Sequence, residues 1–152
     1  GIIKNTCIIL AGYPRDMERL FEIDGGLASR FGTTDSKLFF DDYTPQELLS
    51  ILDDMAGHAD SIAQIGSGTP FRLSEKYREY ALDIFTAIVA EDNPNFGNAR
   101  FVRNFLHDSL DELLERIDKE YGDQDCLPPG VLDYLTAEDI PAHFRRYIHG
   151  NQ

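Results

Sequence analysis

The sequence predicts an α/β segment followed by a mainly α segment, dividing near Asp41. Three observations carry this. Residues 6–11, TCIILA, form a continuous apolar run closed by Gly12 and Pro14, the pattern of a strand buried on both faces. Residues 37–40, KLFF, read as a second short strand. From Thr44 onward, helix-start signals and apolar residues at steps of three and four recur to the end of the chain.

Each element follows in order. After the first strand, Asp16 to Phe21 sets Met17, Leu20 and Phe21 on one helical face. The Gly25-Gly26 pair breaks the chain, and Leu27 to Phe31 forms a short turn that carries Arg30. Thr44 is the expected N-cap of the next helix, with Pro45 at its first position and Glu47 completing a capping box. Its stripe is Leu48, Leu49, Leu52 and Met55, and Gly57 can end it. Residues 63–70 are a Gly/Ser-rich loop. Ser74 caps a helix with the stripe Tyr77, Ala81, Ile84, Phe85, Ile88 and Val89, stopped by Asn93-Pro94. The longest helix runs from about Asn98 to Tyr121 on Val102, Leu106, Leu110, Leu113, Ile117 and Tyr121. Pro128-Pro129-Gly130 is a break. Thr136 opens a last segment holding Ile140, Phe144 and Tyr147, with Pro141 in its first turn or at a boundary.

Composition narrows the function. The 152 residues make one domain or two small pieces, and 42% hydrophobic content supports a packed core. Lys plus Arg total 14 against 27 Asp plus Glu, a net charge of −13. That field repels a phosphate backbone and anionic lipid, so neither nucleic acid nor membrane is an expected partner. No stretch approaches the roughly 20 apolar residues of a membrane span. The two cysteines, Cys7 and Cys126, suit neither a disulfide scaffold nor a paired metal motif, and a reducing cytosolic setting is expected. Residues 42–152 hold 21 of the acids and nine of the basic residues, so the acid excess sits in the helical part.

The search for chemistry begins with what is missing. There is no G-x-x-x-x-G-K-[ST] loop to cradle phosphates. Asp41-Asp42 is the nearest approach to a Mg²⁺-holding pair, but it follows a very short strand. His58, His107, His143 and His149 have no H-x-x-x-H spacing, so no metal site is expected. Cys7, inside the apolar run, reads as a small core residue rather than a nucleophile. Two arginines stand out. Arg30, in GGLASRF, sits on a turn from which a planar guanidinium can reach a phosphate on a neighbouring molecule. Arg100, in FGNARFVRN, sits at a helix start, where the dipole favours anions and a cation gains nothing from it. The plain alternative for both is a surface arginine paired with one of the many acids.

Five blocks, IILAGYPRDMER, GGLASRF, FDDYTPQEL, FGNARFVRN and LTAEDI, resemble in order the AAA+ ATPases of the CbbX/SpoVK type. The resemblance covers only the C-terminal part of that module. It implies that residues 1–41 are the last strands of a AAA+ nucleotide-binding core and that 42–152 are its C-terminal helical lid domain. The implied sheet order is 5-1-4-3-2, with 6–11 as the fourth strand and 37–40 as the fifth. The phosphate-binding loop, the Mg²⁺-binding acids and the pore loop would precede this region.

Carried over by position, Arg30 resembles the arginine finger that acts on nucleotide held by the adjacent subunit. Arg100 resembles the lid's sensor arginine, and Arg103, one turn on, is a second candidate. Tyr13 stands where the family often has a polar sensor such as Asn. The implied setting is ATP and Mg²⁺ in the intact protein, its own missing N-terminal half, neighbouring subunits of a hexameric ring and a remodelled protein substrate. This chain alone is expected neither to bind a cofactor tightly nor to hydrolyse ATP. The fourth and fifth strands of that order do not touch, so Ile8 to Leu10 would need a partner: mispairing, strand exchange with a second copy, or the missing part. The reading from another class is a non-catalytic acidic helical module that docks a basic partner.

Overall fold

In the computed structural model, residues 7–32, 37–58, 70–93, 96–122 and 126–148 are described. The chain divides into two compact units, 1–41 and 42–152. No helix among the described residues is long and apolar enough to cross a membrane.

The described residues of the first unit form two short helices. α1, Pro14–Ile23, starts on a proline at its first position, where the missing N–H costs no helical bond. Asp24 ends it and caps α2, Gly25–Phe31, its carboxylate accepting from the Gly26 and Leu27 amides at 2.8 and 3.2 Å. The expected turn around Arg30 is therefore a full, capped helix. Gly32 closes α2, and a Cβ there would press on the Ala28 carbonyl. No described residue of this unit is buried.

Both expected strands fail. Residues 7–13 and 37–40 take no regular structure, and Thr6 lies outside the described residues. Ile9 is 84% exposed and Phe40 93%. The reason is that a strand is made by its partners: an apolar run without a neighbouring ladder has nowhere to place its N–H and C=O groups except in water. Pairing of Ile8 to Leu10 within the chain is not adopted among the described residues. Cys7, expected in a core, is exposed for the same reason.

The second unit carries the core. α3, Pro45–Gly57, opens on the capping box: the Glu47 amide donates to Thr44 Oγ1 at 3.3 Å, and the Thr44 amide donates to Glu47 Oε2 at 2.8 Å. It buries Leu48, Leu52 and Ala56. β1, Arg72–Leu73, leads into α4, Glu75–Ala90, whose N-cap Ser74 accepts from the Tyr77 amide. α4 buries Tyr77, Ala81, Ile84 and Phe85. α5, Ala99–Tyr121, buries one face from Val102 to Ile117 and packs on α3. Each fully buried Leu, Ile or Phe on these stripes contributes roughly 1.5–3 kcal/mol, and this sum holds the unit together. The loop 63–69, Pro94 and His149 lie outside the described residues.

The last segment is tied down by features absent from the sequence reading. β2, Tyr134–Leu135, pairs in parallel with β1, Leu73 beside Leu135, and both leucines are buried. After it come two 3-10 turns, Ala137–Asp139 and Ala142–Tyr147, in place of a helix. Pro141 separates them, because its nitrogen carries no proton to continue the first. Phe144 then reaches the core, with ring centroids 5.6 Å from Phe101 and 5.5 Å from Phe105.

Candidate functional site

The four candidate residues divide between the units. Tyr13 and Arg30 belong to the first, Arg100 and Arg103 to the second.

Tyr13 precedes α1 in an extended conformation and its side chain, 69% exposed, makes no cap bond. Its carbonyl starts the helix, accepting from the Asp16 and Met17 amides at 3.0 Å. Arg30 lies in the last turn of α2, where the helix dipole favours a cation. It is exposed, so its guanidinium is presented to solvent on a short capped helix.

Arg100 and Arg103 stand in the first turn and a half of α5, three residues apart and thus neighbours on its surface. Both are exposed. The first turn of α5 holds no acid, in a chain of net charge −13. Nor is it capped by a side chain, whereas α3 and α4 are capped by Thr44 and Ser74. The positive end of the dipole and two guanidinium forks therefore coincide, the arrangement that suits an anion with several oxygens.

Pairing separates these arginines from the rest. In the second unit the other arginines are engaged: Arg78 with Asp53 at 2.7 Å, Arg116 with Asp139 at 2.7 Å and Arg145 with Glu112 at 3.5 Å. Arg72 lies over the Tyr134 ring and Arg146 over Tyr147. Among the described residues, Arg100 and Arg103 have no carboxylate partner, and neither has Arg30. Arg15 and Arg19 on α1 share that freedom, so lack of pairing alone does not mark a site; on α5 it coincides with a first turn that holds no acid and takes no side-chain cap.

Sequence reasoning missed two polar centres of the second unit, one at the α5 start and one farther along that helix. Asn98 sits at φ 49°, ψ −121°, and its side chain turns away from α5 to meet Asp42 and Tyr43. The Asp42 carboxylate, weighed as half of a Mg²⁺ pair, accepts from Asn98 Nδ2 at 2.6 Å. Asp139 is fully buried and accepts from Arg116 Nε and Nη2 and from the Thr136 amide and hydroxyl. That bond to Asp139 is the main reason the Arg116 pKa is raised. The only local signal was T-A-E-D, a capping box in miniature.

Two other features carry less. A groove of about 570 Å³ is lined by Tyr80, Glu112, Arg116, Lys119, Glu138 and Arg145, but Arg116 and Arg145 are already bonded to Asp139 and Glu112. His107, Asp108 and Asp111 offer ligand atoms within 4.8 Å of one another, on a solvated face of α5 where the reading of histidine spacing did not look.

Comparison with known proteins finds a family match within the second unit. Residues 44–149 match the family described as the AAA lid domain. The chain is 32% identical over 137 residues to the ESX-5 secretion system protein EccA5 of Mycobacterium tuberculosis, covering 86% of this chain and 19% of that protein. It is 29% identical over 155 residues to the ESX-3 secretion system protein EccA3 of the same species, covering 94% and 22%. The EccA3 of Mycolicibacterium smegmatis is 29% identical over 134 residues, covering 88% and 21%. The chain thus spans about a fifth of the length of the curated relatives it matches. No solved structure matches it significantly.

Proposed function

The chain belongs to the AAA lid domain family, and we propose that it is the C-terminal portion of a AAA+ ATPase whose α5 start senses nucleotide phosphate. One observation carries this reading: two exposed arginines without a carboxylate partner near the start of a helix whose own first turn holds no acid, in a strongly acidic chain.

In that setting Arg100 contacts the phosphates of nucleotide bound by its own subunit, with Arg103 beside it. Arg30 acts in trans as the arginine finger, spreading transition-state charge over its planar fork. Tyr13 orients water or phosphate from the core side. ATP and Mg²⁺ are held by the remainder of the protein, which supplies the phosphate-binding loop. The apolar residues Ile8, Ile9, Leu38 and Phe40 then pair with that remainder. The ring is a hexamer in the cytosol and its substrate is a protein. The family type is that of CbbX and SpoVK, and the EccA relatives favour a secretion-linked role for the parent.

The test has two arms. This chain with millimolar ATP and Mg²⁺ should show no turnover above the buffer rate; robust hydrolysis refutes the division of labour. In the longer ATPase, Arg30→Ala should lower turnover by about 10³-fold or more while nucleotide binding persists. Retention of full turnover removes Arg30 from the mechanism, and unchanged nucleotide affinity in Arg100→Ala with Arg103→Ala removes the sensor.

A further inference from the structure

Asn98 touches both the beginning of the second unit and the beginning of α5. Its φ of 49° with ψ of −121° lies where side-chain-bearing residues rarely go. Such a conformation persists only where the surroundings over-determine it. A glycine would meet the backbone requirement more easily. Asparagine adds two arms. Oδ1 accepts from the Tyr43 amide at 2.9 Å, and Nδ2 donates to Asp42 Oδ1 at 2.6 Å. Its backbone is committed to the helix, because the Asn98 carbonyl accepts from the Val102 amide at 3.2 Å. Next to it, the Arg100 amide donates to the Gly97 carbonyl at 2.9 Å.

We infer that Asn98 is a positioning residue: it clasps the Asp42–Tyr43 entry of the second unit to the first turn of α5, so that a displacement of that entry is transmitted to Arg100. The side chain of this one residue bonds to chain 55 residues upstream and its carbonyl bonds into the helix that carries the arginines. Asp42 opens the second unit, so whatever moves the chain there pulls on this clasp first. The consequence for nucleotide sensing rests on the reading of Arg100 proposed for the lid. The clasp itself needs no nucleotide and is tested without one.

The experiment is amide hydrogen exchange on this chain, read at Tyr43, Arg100 and Val102, with Leu106 and Leu110 as core controls. Asn98→Asp keeps the acceptor for the Tyr43 amide but sets a second carboxylate against Asp42. It should speed exchange at all three probes by roughly fivefold, the equivalent of about one exposed hydrogen bond, while the controls change less than twofold. Adding Asp42→Asn to that variant restores one donor and one acceptor with the polarity exchanged, and should return the probes to within twofold of wild type. Asp42→Ala alone should speed Val102 as well as Tyr43. The inference is overturned if the exchanged pair fails to rescue, if controls and probes accelerate together, or if Asp42→Ala leaves Val102 unchanged. Should Asn98→Asp alone not fold, wild-type protection in the exchanged pair supports the clasp and its failure to fold refutes it. Failure of the ATPase arms with a rescued exchange pattern sinks the nucleotide reading and leaves the clasp standing.

Discussion

Arg116→Met should be among the most damaging single substitutions in the second unit. The Asp139 carboxylate is fully buried and accepts four hydrogen bonds, two of them from Arg116 at 2.7 and 3.0 Å. Methionine matches the aliphatic part of arginine and removes the charge. Asp139 keeps its two bonds from Thr136 and loses its counter-ion in a dry site. Breaking a buried pair in this way costs about 3–5 kcal/mol. For a unit of this size that is roughly 12–20 °C in Tm. Asp139→Asn should cost less, about 1–3 kcal/mol. The asymmetry comes from burial: the Arg116 side chain remains 18% exposed, with Glu120 at 3.7 Å to receive it. Arg116→Met combined with Asp139→Leu should recover most of the loss, because an apolar pair needs no desolvation. Urea unfolding followed by far-ultraviolet circular dichroism is the assay, since the chain has no tryptophan. If Arg116→Met lies within about 1 kcal/mol of wild type, or if Asp139→Asn is the worse of the two, Asp139 is not the dry, pair-dependent charge described here.

Three further outcomes are expected. Tyr77 donates to Ser109 Oγ at 2.7 Å and Ser109 donates on to the Phe105 carbonyl at 2.9 Å, both buried. Ser109→Ala strands the Tyr77 hydroxyl and should cost about 1–3 kcal/mol, more than Tyr77→Phe, which leaves Ser109 its acceptor. Burial pushes the Tyr77 phenol well above its ordinary range, so its contribution is complete below about pH 10 and falls as pH rises beyond; Tyr77→Phe should remove that part of the alkaline slope in urea midpoints taken from pH 9 to 11. Thr44→Ala removes the α3 cap and should cost about 1 kcal/mol by thermal unfolding. The Thr44 amide, then its hydroxyl, hold Glu47 below the usual carboxylate range. Its contribution is therefore present above that range and lost as pH falls through the lowered value; Thr44→Ala keeps the amide and removes the hydroxyl, so it should flatten the acid limb of stability against pH only in part. Arg100→Ala and Arg103→Ala should each leave the unfolding free energy within about 0.5 kcal/mol, and a loss above about 1 kcal/mol would assign them a structural partner and remove them from the site.

The helices were legible because their signals are local. Thr44-Pro45-x-Glu47, Ser74 and the three-and-four spacing of α4 and α5 act within one turn of the residues that carry them. Arg100 was legible as an anomaly of charge against dipole, and the structure leaves it exposed and unpaired. The apolar runs at 7–11 and 38–40 misled, since hydrophobicity announces a need for burial without saying whether a partner is there to meet it. Asp139 drew no reading of its own, and Asp42 was only the nearest approach to a metal pair. Asn98 looked like a helix boundary.

By itself, then, the sequence determined where the chain turns helical, which faces of those helices are apolar and which arginines stand where a cation is unexpected. Tertiary structure alone decided which charges are buried and which side chains are bonded away from their neighbours in sequence: Arg116 to Asp139 across 23 residues, Asn98 to Tyr43 across 55. Helix propensity and capping are settled within one turn of backbone, whereas the partner of a polar group depends on which distant segment the packed core brings beside it.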